Sequence, residues 1–174
     1  MSIFPFVYEP DAITHIINYS FDNFYHNNIK YDGYKIYTRN MITTTANPTP
    51  HPKITMDFDM SATFPDGSVY SRVGSRNREI IVGYATEAWS DNIYKITGSW
   101  VTTDPSGGTK TSTITGALAV KMSCANQNKP LIVSGTISFV KNGNVAILDY
   151  GNGICDNLAV LTVNGTTYPI VIGN

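Results

Sequence analysis

Residues 148–172, LDYGNGICDNLAVLTVNGTTYPIVI, carry the clearest folding signal in this chain. Two short apolar runs, Leu158–Val163 and Thr166–Ile172, flank the dipeptide Asn164-Gly165. Asn-Gly supplies the two positive-φ residues of a type I′ turn, whose twist matches that of the strands in a tight hairpin. The segment therefore predicts an antiparallel β-hairpin.

A second strand signal lies upstream, where apolar and polar residues alternate with a period of two. The apolar positions are Ile54, Met56, Phe58, Met60 and Phe64. Further strands are predicted at Ile13–Phe24, Tyr34–Thr45, Ser68–Val73 and Arg78–Tyr84. Pro48, Pro50 and Pro52 lack the backbone N–H that a ladder requires, so we expect no strand pairing across that loop.

Length and composition limit the classes of protein. With 174 residues the chain fits a single domain, 1–174, in which residues 1–12 form an extended N-terminal segment. A net charge of −1 gives no long-range attraction to nucleic acid. No apolar run is long enough for a transmembrane helix, and the first residues lack the features of a signal peptide or lipoprotein leader. Few charges and many Thr, Ser and Asn residues favour an exported protein.

Three mid-strand glycines repeat in the second half of the chain. Gly98, Gly116 and Gly135 stand 18 and 19 positions apart, each between apolar residues, which suits an antiparallel meander of hairpins. Pairing Gly98 with Gly116 and Gly116 with Gly135 makes a row on one face. The row favours sheet curvature and packing. The alternative is a ligand groove along the candidate binding face Gly98, Trp100, Gly116, Gly135 and Tyr150.

These patterns together predict an all-β fold. We expect a curved antiparallel β-meander that closes toward a half-barrel, a barrel or a sandwich, with little or no helix. In this register Cys124 and Cys155, the two cysteines of the chain, fall at one edge of the sheet with a strand between them. A disulfide is therefore predicted. Two free buried thiols are the alternative if the protein stays in the cytosol.

The loop before the final hairpin is rich in oxygen ligands. Asp149, Asn152, Asp156 and Asn157 are a weak calcium candidate, because the spacing is not that of an EF-hand. Short Asp and Asn side chains also form turns by accepting hydrogen bonds from nearby backbone N–H groups. We favour this structural use, and no other metal or cofactor is predicted.

Catalytic motifs are absent from the sequence: there is no nucleophile elbow, phosphate-binding loop or dinucleotide fingerprint. Asp57 and Asp59 have a spacing that overlaps that of glycosidase carboxylates, but they occupy the polar positions of a strand. Arg72, Arg76 and Arg78 form a small basic group that could pair with these carboxylates or with a partner. The sequence therefore favours a protein without enzymatic activity.

The segments DYGNGICDN (149–157) and TVNGTTY (162–168) resemble the C-terminal signature of a family of uncharacterised secreted proteins and lipoproteins of Bacteroidetes. The family's "LSC" and "GTCDN" elements match Met122-Ser123-Cys124 and residues 153–157. The resemblance is strongest from about Trp89 onward. It implies an extracellular or outer-membrane-surface location and supports the pairing of the two cysteines, but it implies no catalytic residue.

The leading functional expectation is a non-enzymatic cell-surface or extracellular module, structural or binding, that contacts a cell-envelope protein or a surface polymer. The alternative is a carrier or carbohydrate-binding protein that uses a concave, glycine-lined sheet face. A hydrolase that uses Asp57 and Asp59 is the third hypothesis. The shape of the interior separates the three, because a filled core, an open groove and a cleft with two carboxylates are different structures.

Overall fold

A computed structural model describes residues 2–3 and 14–173, which form one antiparallel sheet. Its strands are β1 (Ser2–Ile3), β2 (Thr14–His26), β3 (Ile29–Ile42), β4 (His51–Thr63), β5 (Val69–Val82), β6 (Ile93–Thr103), β7 (Thr109–Lys121), β8 (Ile132–Lys141), β9 (Asn144–Asn152), β10 (Leu158–Val163) and β11 (Thr166–Val171). Strand order in the sheet follows strand order in the chain. The predicted all-β meander is confirmed. Of the predicted N-terminal segment, residues 1 and 4–12 lie outside the described residues.

Tight turns join several of the strands, and every described non-glycine residue with a positive φ is an asparagine. Asn164 and Gly165 have φ angles of 47° and 87°, which confirms the predicted hairpin turn. The helical segments of the described chain are two 3₁₀ turns, Trp89–Asp91 and Met122–Gln127. Neither is long or apolar enough to cross a bilayer, and the same holds for every helix within the described residues.

The sheet is open. Ladders join strands that are consecutive in the chain, and within residues 2–3 and 14–173 none connects β1 with β11. The closed-barrel form of the expectation is therefore wrong for the part of the chain that the structure describes. The described strands form one open antiparallel meander.

One face of the sheet forms the core. Phe58, Trp100, Leu118 and Ile137, from β4, β6, β7 and β8, pack into a buried cluster. Directly opposite residues in an antiparallel ladder point to the same side of the sheet, so the register assigns every strand position to this side or the other. We call the side that carries these four residues the core face and the opposite side the outer face.

The mid-strand glycines lie where neighbouring backbones come very close. A Cβ on Gly98 would lie 2.8 Å from the Cα of Arg76, and one on Gly135 would lie 2.7 Å from the Cα of Leu118. These distances are shorter than a side chain tolerates, so only glycine allows the strands to bend in this way. The glycines sit on the adjacent strands β6, β7 and β8, which supports their role in curvature.

The detailed register of the glycines differs from the prediction. Gly116 lies opposite Thr136 rather than Gly135, because the register of β7 against β8 shifts beyond Ile114. Between β6 and β7 the expected register holds at Ile96–Leu118 and then slips by two residues. Bulges of this kind bend a strand and increase its twist. They break the continuous row of glycines that the sequence suggested.

Two other predictions need correction. Pro52 is part of β4 and lies opposite Met41 of β3, whereas the proline cluster was expected to prevent pairing. It stands at the beginning of the strand, where a missing N–H donor is tolerated. The two strands predicted between residues 68 and 84 are one continuous strand, β5.

The disulfide is present as predicted. Cys124 in the second 3₁₀ turn is bonded to Cys155 in the loop between β9 and β10, with their Cα atoms 5.3 Å apart. The bridge joins two connections at one end of the sheet. Cys124 is completely buried, so the bond belongs to the packed interior of that end.

Candidate functional site

Charge is sorted between the two faces of the central strands. In the ladder of β4 with β5, Met60 lies opposite Arg72, Met56 opposite Arg76 and Phe58 opposite Gly74. The strand cations that share the core face are Lys35, Arg39, Arg72, Arg76 and Arg78. The strand acids Asp32, Asp57, Asp59 and Glu79 occupy the outer face of the same strands. The core face of the central strands thus carries cations without strand acids, whereas the outer face mixes the acids with Lys30, Lys53 and Lys95.

A cavity of about 520 Å³ opens on the core face of β3 to β6. This volume lies within the range of roughly 300–1,000 Å³ that is usual for small-molecule sites. Its apolar wall comes mainly from β4 and consists of Met56, Phe58, Met60, Ala62 and Phe64. Its cationic side chains are Lys35, Arg72 and Arg76. The described lining contains no carboxylate.

Arg76 is held in an unusual environment. Its guanidinium carbon lies 4.2 Å from the centre of the Trp100 ring, a cation–π contact. Its Nε is buried and has no hydrogen-bond partner among the described residues. Burial, followed by repulsion from Arg72, lowers the pKa of Arg76 from its ordinary value of 12.5. The guanidinium of Arg76 thus packs against the core, and its Nε–H has no oxygen acceptor among the described residues.

The two other cations of the cavity are held more loosely. Arg72 donates from Nε to Oγ1 of Thr102 at 3.2 Å, and the rest of its side chain reaches solvent. The Lys35 ammonium lies 5.8 Å from the centre of the Phe21 ring. No described carboxylate lies within 4.0 Å of either cation or of Arg76. The cavity therefore presents positive charge that this part of the chain does not neutralise.

The close charged contacts of β3 to β6 lie on the outer face. Nζ of Lys30 lies 2.9 Å from Oδ2 of Asp32, and Nε2 of the buried His51 lies 2.9 Å from Oε1 of Glu79. Asp57 and Asp59, the carboxylates of the hydrolase hypothesis, are exposed on this face and point away from the cavity. They do not converge on a cleft, so the geometry offers the hydrolase hypothesis no support.

The glycine-lined candidate binding face lies beside the cavity rather than in it. Gly98, Gly116 and Gly135 occupy the bends of β6, β7 and β8, and Trp100 is buried beneath Arg76. Tyr150 packs against the core cluster, and its burial raises the pKa of its hydroxyl. These side chains form the packed part of the core face. The open part is on β3 to β6.

The residues of the calcium candidate make turn contacts. Oδ1 of Asp149 accepts the Gly151 N–H at 2.8 Å, and Oδ1 of Asp156 accepts the Leu158 N–H at 3.0 Å. Asn152 lies opposite Ser134 in the ladder, and the Asn157 carbonyl accepts the Ile172 N–H. Within the described residues, no three His, Cys, Asp or Glu side chains are grouped as metal ligands would be.

Comparisons of the chain with protein-family models, with curated protein sequences and with solved structures find no match. The resemblance to the Bacteroidetes family therefore stays a prediction. Any function has to be argued from the cavity and its charges.

Proposed function

We propose that this chain is a non-enzymatic binding protein, or carrier, that holds a small ligand in the core-face cavity. The observation that carries the proposal is the cavity itself, an open site with an apolar wall and a few cationic groups. Hydrophobic burial of a ligand needs no reactive group, and the acidic pair that could suggest hydrolysis lies on the other face.

An exported location is part of this proposal. The Cys124–Cys155 disulfide supports it, because such bonds persist in oxidising compartments and are rare in the cytosol. The sequence resemblance to secreted proteins and lipoproteins points in the same direction. In this setting the protein would act at the cell surface or outside the cell.

The cavity can be tested with Nile red, a neutral apolar dye whose fluorescence rises on burial. Ala62→Phe adds a ring to the cavity wall, and Val73→Phe makes a comparable addition on the exposed outer face of β5. We expect the native protein and Val73→Phe to bind the dye and Ala62→Phe to lose most of the binding. Circular dichroism checks that both variants fold. Equal binding by all three proteins would contradict a site in this cavity.

A structural module is the second candidate function, and one observation favours it. The outer face of β9 to β11 carries exposed apolar side chains, namely Val145, Ile147, Leu158, Val160 and Val171. Exposed apolar patches of this sort mark surfaces that contact other molecules. A cell-envelope protein or a surface polymer would be the partner. In a pull-down from envelope extracts, a partner that binds the native protein but not Val160→Arg would favour the structural module, provided that the variant still binds Nile red.

A further inference from the structure

Resting on the proposed function, we infer that the ligand of the core-face cavity is a single-chain amphiphile with a carboxylate head group. Arg76 and Arg72 hold the carboxylate, and the hydrocarbon chain lies along the wall that β4 provides. The inference depends on three features of the described residues: an unsatisfied donor, an unneutralised pair of arginines and a wall rich in methionine and phenylalanine.

The unsatisfied donor is Nε of Arg76. A buried N–H without an acceptor costs free energy, and the contact with Trp100 does not supply an oxygen atom. A carboxylate provides two oxygen atoms in the plane and at the spacing that the guanidinium fork recognises. Binding an anion at Arg76 would thus satisfy the donor and neutralise the charge in one contact.

Arg72 adds the second cation to the same cavity. It stands four positions before Arg76 on β5, so the two Cα atoms are roughly 13 Å apart by strand rise. Gly74, which lies between them on the same face, has no side chain that could separate the two arginines. Two like charges on one strand face repel each other, and an anion between them removes that repulsion. Since strand acids lie on the outer face, the field over the cavity attracts an anion and repels a cation.

The wall explains why the ligand carries a hydrocarbon chain. Met56, Met60 and Phe64 give it an apolar surface, and methionine side chains adapt to a flexible chain. A sugar would place hydroxyl groups against this surface, where they would lose hydrogen bonds to water without replacement. The cation and the apolar wall together match a molecule with one charged end and one apolar end.

The experiment is calorimetric titration of the whole chain with four twelve-carbon compounds: dodecanoate, dodecanol, dodecyltrimethylammonium and dodecyl phosphate. We expect dodecanoate to bind about ten- to hundredfold more tightly than dodecanol, as a charge-assisted hydrogen bond to arginine allows, and the ammonium compound to bind weakest. Tighter binding of dodecyl phosphate than of dodecanoate would overturn the carboxylate assignment.

Arg76→Gln should remove most of the preference for dodecanoate over dodecanol. Arg78→Gln is the matched control, because Arg78 shares the strand and the face but is not part of the cavity lining. If Arg76→Gln does not fold, Arg72→Gln should reduce the same preference. An unchanged preference in the folded variants would overturn the inference.

The outcomes separate this inference from the proposed function. Equal binding of dodecanol and dodecanoate, abolished by Ala62→Phe, would leave the carrier proposal standing and refute the anionic head group. Absence of binding by all four compounds, with Nile red also unbound, would refute both.

Discussion

Removal of the Cys124–Cys155 cross-link should destabilise the fold by an amount set by the length of the loop that it closes. The two cysteines are separated by 31 positions. The chain-entropy estimate for a loop of this length is about 3–4 kcal/mol. For a chain of this size each kcal/mol lowers the melting temperature by roughly 2–4 °C, so reduction should lower it by about 10 °C.

The measurement is urea unfolding of oxidised and reduced native protein, which isolates the cross-link because both thiols stay in place. Cys124→Ala/Cys155→Ala serves as a second form without the bond, and it adds the cost of truncating a fully buried side chain. Oxidised and reduced proteins that agree within about 1 kcal/mol would refute the loop-entropy argument. Alkylation of two thiols in native exported protein would refute the bond itself.

Three further predictions address packing and charge. Gly74→Ala should lower the free energy of unfolding in urea by about 3 kcal/mol, because its Cβ would lie 2.6 Å from the Trp100 Cα. Gly107→Ala has open space around it and should lower that free energy by only about 1 kcal/mol, because of its positive φ. Similar losses for the two variants would contradict the close approach at Gly74. Hydrogen bonds from Lys141, Ser106 and Gly108 hold the pKa of Asp104 well below its ordinary value of 3.8, so its stabilising contribution is complete above that value and disappears as the pH falls toward the folded-state pKa. On acidification, the free energy of unfolding of Asp104→Asn should therefore fall less than that of the native protein. An equal fall in both proteins would contradict this prediction. His51→Ala should cost about 3 kcal/mol because it truncates a fully buried ring and removes its contact with Oε1 of Glu79, and a double-mutant cycle with Glu79→Gln should give a coupling above about 1 kcal/mol.

Local turn chemistry made much of the fold predictable from sequence. The predicted Asn164-Gly165 turn sets the register of β10 against β11 from Val163–Thr166 as far as Leu158–Val171. The slips around Gly98 and Gly116 were not predictable in this way. They depend on how far the sheet must curl over its core, and that is decided by packing across several strands.

The cavity was less accessible to sequence reasoning, although a signal existed. The turn centred on Asp66 places Met60 opposite Arg72, and thereby sets the arginines on the apolar side of the sheet. Pairing the arginines with Asp57 and Asp59 fails because these acids have the opposite parity and face away. The depth of the cavity depends on tertiary packing, and composition does not reveal it.

The correspondence between chain order and sheet order has a consequence for how this protein folds. Each ladder joins a strand to the next one in the chain, so the sheet can nucleate at one hairpin and extend strand by strand. Such local pairing lowers the contact order, and we expect faster folding than for Greek-key β-proteins of similar size. Amide hydrogen exchange should accordingly be slowest in β4 to β8 and become faster toward both edges of the sheet, where opening breaks only one ladder.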